Sequence, residues 1–194
     1  MSRQIKKAID VFRDGGIVIF PTDTAIGIGC RIDNKKAVER LFRIKKRQKN
    51  KPMLVLVDSI EMAQEYWQSI PLGVLNKLIK KYWPGSLTII LYCNKVRVQD
   101  LVRGKGNTLG IRFPNDPILQ RIINGVGVPI IAPSANFSGE ETPFSIDDVN
   151  PELVKLADYV LNKKTGKKQA VSTVIDCTVE PWKIVREGAV RINY

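Results

Sequence analysis

The sequence predicts one α/β domain in which helices flank a twisted, mixed β-sheet. Short β-branched runs, such as residues 17–20, alternate with segments whose apolar residues recur at helical spacing. Extra strand pairs without an intervening helix favour a mixed sheet over a purely parallel one. The chain has 194 residues, enough for one full hydrophobic core, and no linker or repeat divides it. We therefore expect residues 1–194 to form a single domain.

Helical periodicity is clearest at the N-terminus, where Ile5, Ala8, Ile9 and Phe12 share one face. The pair Gly15-Gly16 is expected to end this helix. Asn34 is the expected N-cap of a second helix, and Asn115 or Asp116 the cap of a later one. The predicted helices span residues 3–13, 34–45, 59–66, 72–81, 117–124 and 153–159.

The predicted strands are runs rich in Val, Ile and Thr that are bounded by Gly, Pro or polar residues. They span residues 17–20, 26–30, 53–57, 86–92, 109–113, 128–132, 173–177 and 183–186. Residues 96–107 form a basic, Gly-containing loop region, and residues 142–151 a polar turn region. Such an alternation is typical of an α/β domain.

The absence of histidine from the sequence excludes several kinds of chemistry. Ser-His-Asp and Cys-His catalysis, histidine general bases and the common zinc sites all need this residue. Cys30, Cys93 and Cys177 are far apart and are expected to be reduced thiols that fill the core. Lys, Arg, hydroxyls, amides and carboxylates remain for any reaction.

The net charge of +12 predicts attraction to polyanions. The partner could be RNA or small anionic substrates, and solvated lysines without a dedicated partner are an equal alternative. No sequence signature defines a known nucleic-acid module. No apolar run reaches the ~20 residues of a membrane span, and the N-terminus lacks the apolar core of a signal peptide. We expect a cytoplasmic protein without membrane contact.

Four polar segments lie at predicted strand or helix ends, where α/β folds place ligands. They are residues 21–24, 45–51, 132–139 and 172–176, the last followed by Arg186-Glu187-Gly188. Each has a plain structural alternative: a capped turn, cations at a helix C-terminus, a small-residue turn and hairpin chemistry.

Taken together, the four segments describe a cleft of hydroxyls, amides and cations without a nucleophile. Such a cleft suits anionic ligands and reactions that depend on positioning and electrostatics, as nucleotidyl transfer does. The sequence has no Walker A motif and no G-x-G-x-x-G. Residues 103–107 are Gly-rich and basic but precede a strand, so they are a weak phosphate loop.

The order of these segments resembles the YrdC/Sua5 family. The stretch Pro21-Thr22-Asp23-Thr24 is similar to the P-T-[DE]-T segment of that family, Lys45-x-Arg47 to its K-x-R, and Ser134-x-Asn136 to its S-x-N. Further matches are the strand ending at Arg112, S-T-V-x-D at residues 172–176 and R-x-G at residues 186–188. The likeness runs from about residue 5 to 190. It implies a YrdC-like fold and, since the chain ends at Tyr194, the short form of the family.

The resemblance implies an L-threonylcarbamoyladenylate synthase. Threonine would take up CO2 or bicarbonate as a carbamate, whose oxygen attacks the α-phosphorus of ATP and displaces pyrophosphate. The product would serve the t6A37 modification of tRNA through downstream transfer proteins. The basic surface could also contact tRNA or double-stranded RNA.

The resemblance also implies roles for individual residues. Lys45 and Arg47 would be catalytic. ATP would be bound by Arg47, Lys51, Thr108, Asn136 and Arg186. Threonine would be held by Thr24, Arg112, Ser134 and Ser172. No protein site for a metal is expected, and Mg²⁺ would ride on the triphosphate, with Asp23 and Asp176 touching it through water.

Two alternatives of the same fold remain: an RNA-binding protein and a paralogue that transfers a carbamoyl group. The related YciO-like proteins tend to lose the K-x-R and S-x-N pairs. Both pairs are present here, which favours the synthase.

Overall fold

A nine-stranded sheet forms the centre of the computed structural model, which describes residues 2–162 and 170–193. The strands are β1 Val18–Pro21, β2 Ile26–Arg31, β3 Val55–Leu56, β4 Leu87–Tyr92, β5 Thr108–Arg112, β6 Ile130–Ile131, β7 Tyr159–Val160, β8 Thr173–Asp176 and β9 Lys183–Arg186. Their order in the sheet is β7-β1-β2-β6-β3-β5-β4-β8-β9. The pairs β1–β7, β3–β5 and β4–β8 are parallel and the others antiparallel, so the prediction of a mixed sheet is confirmed.

The helices begin at the caps that the sequence indicates. Asn34 accepts a hydrogen bond from the Ala37 amide, and Asp116, rather than Asn115, caps the later helix. The helices are α1 Arg3–Arg13, α2 Lys35–Ile44, α3 Ile60–Tyr66, α4 Leu72–Val74, α5 Lys80–Tyr82, α6 Pro117–Val126 and α7 Pro151–Leu156. A π-helical stretch, Leu75–Ile79, joins α4 to α5, and a 3₁₀ turn covers Ile146–Asp148.

The predicted helix at residues 153–159 is wrong at its C-terminal end. Helix α7 ends at Leu156, and Tyr159 and Val160 form β7 beside β1. The carboxylate of Asp158 accepts a hydrogen bond from the Ile17 amide at 2.6 Å, which draws this segment along β1. The apolar spacing around Leu153 could not reveal that partner, because it lies 141 positions away in the chain.

Two of the predicted strands are shorter than expected. Only Val55–Leu56 and Ile130–Ile131 join the ladder, although the β-branched runs extend further in both directions. The Met53 amide donates to the carbonyl of Val102 instead of to a strand, and the Ala132 amide donates to the carbonyl of Leu54. Loop partners therefore satisfy the flanking backbone groups.

Hydrophobic clusters cover both faces of the sheet. Strand β1 shows the division: Val18 and Phe20 pack with α1 and α6, whereas Ile19 belongs to the larger cluster that includes α2 and α3. This alternation is expected because successive strand residues point to opposite faces. One sheet thus serves two cores and holds the strand ends that carry the candidate site.

No helix in the described parts of the chain is both long enough and apolar enough to cross a membrane.

Candidate functional site

Two adjoining cavities collect most of the polar residues that the sequence indicates. The hydroxyl cavity, about 60 Å³, is lined by Thr22, Thr24, Ala25, Ile26, Gly27, Leu54, Arg112, Ala132, Pro133, Ser134, Thr142, Val171, Ser172 and Arg186. The sheet cavity, about 230 Å³, is lined by Arg47, Pro52, Met53, Leu54, Thr88, Ile90, Gly110, Pro133, Ser134, Val174 and Arg186. The shared residues Leu54, Pro133, Ser134 and Arg186 make the two cavities one continuous cleft.

Arg112, the last residue of β5, is the buried cation of the hydroxyl cavity. Its side chain is 3% exposed and forms an ion pair with Asp23 through Nη1. The second carboxylate oxygen of Asp23 accepts from the Asn115 amide at 3.1 Å. Among the described residues, the Nε–H of Arg112 has no hydrogen-bond partner. A buried donor of this kind is costly unless a ligand oxygen reaches it.

The P-T-D-T segment after β1 forms a tight hydroxyl turn at the cavity wall. The Thr22 hydroxyl donates to the carbonyl of Ala25 at 2.7 Å, and the Thr24 amide donates to the Thr22 hydroxyl at 3.0 Å. The hydroxyl oxygens of Thr22 and Thr24 are 3.0 Å apart. The segment is therefore both a capped turn and part of the cavity lining.

Ser172 is the centre of a second buried network. Its hydroxyl lies 2.9 Å from that of Thr88 and accepts from Nη2 of Arg186 at 2.8 Å. Nε of Arg186 also donates to the Ser172 carbonyl at 3.0 Å. Burial, with the nearby Arg112 charge, lowers the pKa of Arg186. Two guanidiniums at one cavity create a positive potential that an anionic ligand would relieve.

The sheet cavity combines apolar residues from the strands with cationic side chains. Ile90, Gly110 and Val174 come from three neighbouring strands. A Cβ at Gly110 would lie 3.4 Å from Cγ2 of Thr88 and 3.5 Å from Cγ1 of Ile90, so the glycine leaves space there. Arg47 and Arg186 supply the charge. This combination suits a planar ring that carries phosphates.

Lys45, at the C-terminus of α2, is buried rather than displayed on the surface. Its ammonium donates to the carbonyls of Ser134 at 2.5 Å and Asn136 at 2.6 Å, and its own carbonyl accepts from the Ser138 amide. Burial, with the charge of Arg47, lowers its pKa to about 7. Two of the three donors of the ammonium are therefore used inside the protein, and Lys45 lines neither cavity.

The S-x-N segment is held from within as well. The Ser134 hydroxyl donates to Oδ1 of Asn136 at 2.6 Å, and Nδ2 of Asn136 donates to the carbonyl of Glu140 at 2.6 Å. Arg47 is braced by the carbonyls of Lys51 and Pro52, at 3.2 and 2.6 Å, and burial lowers its pKa. The K-x-R and S-x-N pairs therefore meet as one rigid corner of the cleft.

The structure brings some of the predicted site residues into the cleft and leaves others beside it. The two cavities are lined by Thr24, Arg47, Arg112, Ser134, Ser172 and Arg186. Lys45 and Asn136 support the wall through Ser134. Lys51 contacts the cleft only through its carbonyl on Arg47, and Thr108 lies at the opposite end of β5 from Arg112. Neither of these two lines either cavity.

Sequence reasoning missed three contributors to the site. Thr88 lies within a strand of β-formers and gave no signal of its own, although it is 1% exposed and contacts Ser172. Thr142 lies in a turn region and lines the hydroxyl cavity. Asp23 lies in the P-T-D-T segment, but its role as the partner of Arg112 was missed, and both of its oxygens are bonded to protein groups. No local signal could indicate that ion pair, because the two residues are 89 positions apart.

The thiols of Cys30 and Cys177 are not activated. Burial raises the pKa of Cys30 to about 12 and that of Cys177 to about 12, so neither thiol is an activated nucleophile. Over residues 2–162 and 170–193, no group of three or more Cys, Asp or Glu side chains could hold an ion.

Comparison with known proteins places the site in context. Residues 10–188 match the Sua5/YciO/YrdC family, whose description reads "Telomere recombination". Over 180 residues, 93% of this chain and 83% of the relative, the chain is 36% identical to a Methanocaldococcus jannaschii protein. It is 32% identical to the threonylcarbamoyl-AMP synthase of Bacillus subtilis over 96% of this chain and 54% of that protein. The chain thus spans about half of the Bacillus relative.

Two solved structures of proteins named Sua5 and YciO are also similar to this chain. The crystal structure of Pyrococcus abyssi Sua5 complexed with L-threonine is similar, with a TM-score of 0.89, 32% identity and coverage of 95% of this chain and 54% of that one. The Escherichia coli YciO structure has a TM-score of 0.80, 30% identity and coverage of 96% and 89%.

Proposed function

Because this chain belongs to the Sua5/YciO/YrdC family, we propose that it is an L-threonylcarbamoyladenylate synthase. The reaction forms threonylcarbamoyl-AMP and pyrophosphate from ATP, L-threonine and bicarbonate. The proposal covers residues 1–194 as one catalytic domain. Its support is the cleft, together with relatives that are named for this activity and a related structure that is named for bound L-threonine.

The observation that carries the proposal is the unpaired Nε–H of buried Arg112 in the hydroxyl cavity. A buried guanidinium that keeps an unpartnered donor beside a cavity of hydroxyls is suited to a carboxylate ligand. Thr24, Ser134 and Ser172 line the same cavity and offer hydroxyls to an amino acid of small size. A cavity of about 60 Å³ favours a small amino acid over one with a large side chain.

The nucleotide belongs in the adjoining sheet cavity. The adenine ring would lie over Gly110, and Arg47 and Arg186 would contact phosphate oxygens. Asn136, Lys51 and Thr108 complete the proposed ATP set. Of these, Asn136 is close through its bond to Ser134, while Lys51 and Thr108 would need the nucleotide to extend beyond the cavity.

The chemistry follows from the contact between the two cavities. Bicarbonate takes up a proton and gives CO2 and water. The amine of threonine adds to this CO2 and loses a proton, which gives a carbamate. A carbamate oxygen then forms a bond to the α-phosphorus as the bond to the β-phosphate oxygen breaks, and pyrophosphate leaves. Lys45 and Arg47 would offset the negative charge that gathers on the phosphoryl oxygens. Ser134, which lines both cavities, marks the junction.

Magnesium would enter as part of the ATP substrate. Mg²⁺ prefers a few carboxylate or phosphate oxygens plus water, and the described residues form no carboxylate cage. Asp23 is bonded to Arg112 and Asn115, and Asp176 to Thr178. The ion would therefore be held by the triphosphate, where it would neutralise charge on the leaving pyrophosphate.

The product would be consumed by proteins that transfer the threonylcarbamoyl group to adenosine 37 of tRNA. We expect both reactions in the cytoplasm. A net charge of +12 supports direct contact with tRNA as a secondary role. The similarity to Escherichia coli YciO, named an uncharacterised protein, favours one competing candidate, a paralogue with another reaction. The intact K-x-R and S-x-N corner supports the synthase over that candidate.

Pyrophosphate release from ATP, with threonine or bicarbonate omitted in turn, tests the proposal. We expect release only when both are present. Release that ignores threonine would instead indicate a carbamoyl-phosphate or hydrolytic relative. No release at all would leave the RNA-binding alternative.

The variant Arg112→Gln sharpens this test, because the loss of the carboxylate partner should raise the KM for threonine at least about tenfold and leave ATP binding nearly intact. The matched control is Arg97→Gln, since Arg97 is an exposed arginine that pairs with Glu65. Equal threonine dependence in both variants would remove Arg112 from the amino-acid site.

A further inference from the structure

A third cavity, larger than the two that form the cleft, lies on the outer side of Arg47. It has a volume of about 590 Å³. We call this space the basic cavity. It is lined by Glu39, Phe42, Arg43, Lys46, Arg47, Lys49, Asp100, Leu101 and Lys105. The size falls in the range of small-molecule sites. The cavity lies between the C-terminal half of α2 and the turn around residues 100–105.

The charge of the basic cavity is strongly positive. Five cationic side chains line it, against the carboxylates of Glu39 and Asp100. Asp100 is already paired with Arg103, a residue outside the lining, so its charge is largely neutralised. Lysine and arginine held around one concave surface raise the local concentration of anions. A ligand with several negative charges would fit this surface.

Part of the lining of the basic cavity is apolar. Leu101 is half-buried and lines the cavity, whereas Phe42 is 3% exposed and contributes little accessible surface. The remaining apolar surface comes from the aliphatic stems of the lysines and arginines. A ligand that combines a flat ring with phosphate groups would place the ring on Leu101 and these stems and pair its phosphates with the cationic ends.

Unusual backbone conformations also concentrate at the basic cavity. Among the described residues, Lys46 (φ 50°) and Lys105 (φ 67°) are the two non-glycine residues with positive φ, and both line it. Residues in this region are held there at a cost and cluster at binding sites. The ammonium of Lys46 lies 4.8 Å from the ring centroid of Phe137, in the segment that follows Asn136. The cavity rim is thus fixed against the S-x-N corner.

Arg47 lines both the basic cavity and the sheet cavity. Its Nε and Nη2 donate to the carbonyls of Lys51 and Pro52, which holds the guanidinium between the two spaces. We propose that the basic cavity binds a second phosphorylated nucleotide, distinct from the ATP of the sheet cavity and adjacent to it through Arg47. The nucleotide is a free molecule, and this proposal rests on the assignment of ATP to the sheet cavity.

The test compares a double variant with a charge-matched control. Lys49→Gln/Lys105→Asn removes two cations of the basic cavity that have no role in the proposed reaction, and Asn tolerates the left-handed backbone at residue 105. Lys80→Gln/Lys155→Gln removes two exposed lysines elsewhere. Both variants should release pyrophosphate at the wild-type rate, so failure of the proposed synthase activity would be seen separately.

Two probes are titrated at low salt: an ATP analogue with an α,β-methylene bridge, and a single-stranded RNA of about ten nucleotides. Wild type and control should bind two equivalents of the analogue per chain. In the double variant the second equivalent should bind about tenfold more weakly, and its binding should depend less steeply on salt. A single analogue site in wild type, with or without RNA binding, would overturn the proposal. Equal analogue binding by the double variant and the control would overturn it as well.

Discussion

At the scale of single residues, the cleft is defined by cations whose charge is only partly compensated. Arg112 has one carboxylate partner and a buried Nε–H without a partner among the described residues, and the ammonium of Lys45 donates to two main-chain carbonyls. Arg186 is tied to Ser172 through three hydrogen bonds. Partial pairing keeps these groups ordered and leaves each able to meet an anion.

Replacing Asp23 by Asn should show that this carboxylate positions Arg112. A buried ion pair that loses one partner destabilises a protein by about 3 kcal/mol or more, and Arg112 and Asp23 are 3% and 11% exposed. We expect a fall of that size in the free energy of unfolding, measured with urea, and a higher KM for threonine with an unchanged KM for ATP. The matched control is Asp33→Asn, since Asp33 is an exposed carboxylate paired with Arg31. If Asp23→Asn behaved as Asp33→Asn does, Asp23 would have no positioning role.

Lys45 should make stability depend on pH. Burial first, and Arg47 second, lower its pKa from 10.5 to about 7 in the folded protein. Between these values the unfolded chain binds more protons, so this group adds stability as the pH rises through that window. We expect the unfolding free energy of wild type to rise relative to that of Lys45→Met between pH 7 and 10.5. The surface variant Lys80→Met should show a flat difference, and a flat difference for Lys45→Met would contradict the buried charge.

At the scale of elements, the cleft depends on close contacts between strands and loops. The C-terminus of α2 and the segment that follows β6 are joined through Lys45, and β2 and β6 approach each other across Gly29. A Cβ at Gly29 would lie 1.8 Å from the carbonyl oxygen of Ile131. Backbone cannot yield as a flexible side chain would, so this contact fixes where Ser134 begins the S-x-N segment.

Gly29→Ala should therefore separate β2 from β6. We expect Gly29→Ala to lower the free energy of unfolding by at least the cost of overpacking, about 1–3 kcal/mol, as measured by thermal unfolding. The control Gly127→Ala also adds a methyl group, at a site with open space around the Cβ but with φ of 81°. Its cost should stay near that of a strained helix cap, about 1 kcal/mol. If Gly29→Ala were as mild as this control, the approach of the two strands would not be limiting.

At the scale of the whole molecule, one sheet joins two cores and carries a large positive charge. Helices α1 and α6 cover one face, and α2 and α3 contribute to the cluster on the other. The tryptophans Trp67 and Trp83 both belong to the second cluster, where their rings stack with centroids 5.8 Å apart. Their fluorescence therefore reports on one face only.

A mutation in the opposite core tests whether the chain unfolds as one unit. Phe12 is buried between α1 and the sheet and contacts Phe20 edge-on, with ring centroids 5.8 Å apart. Phe12→Ala should cost about 3–5 kcal/mol and shift the tryptophan and far-ultraviolet transitions to the same urea concentration. A tryptophan transition that stayed at the wild-type midpoint would show two independent units and contradict the single domain.

The sequence by itself determined the order of the elements and several of the caps. Helix α1 and strand β9 fall within the predicted bounds, because apolar periodicity and Gly15-Gly16 are local signals. The likeness of six short motifs also identified the family, which the comparisons confirm. The alternation of strand and helix patterns, with its extra strand pairs, also predicted the mixed sheet.

Only the tertiary structure decided which polar residues meet. Asp23 and Arg112 are 89 positions apart, as are Lys45 and Ser134, and Thr88 lies 84 positions from Ser172. Periodicity describes the face on which a residue lies but not its partner across the sheet, because strand order is set by packing of the whole chain. The same limit explains β7, whose pairing with β1 overrides the helical pattern near Tyr159. Local physics therefore fixes the elements, and long-range burial and pairing fix the site.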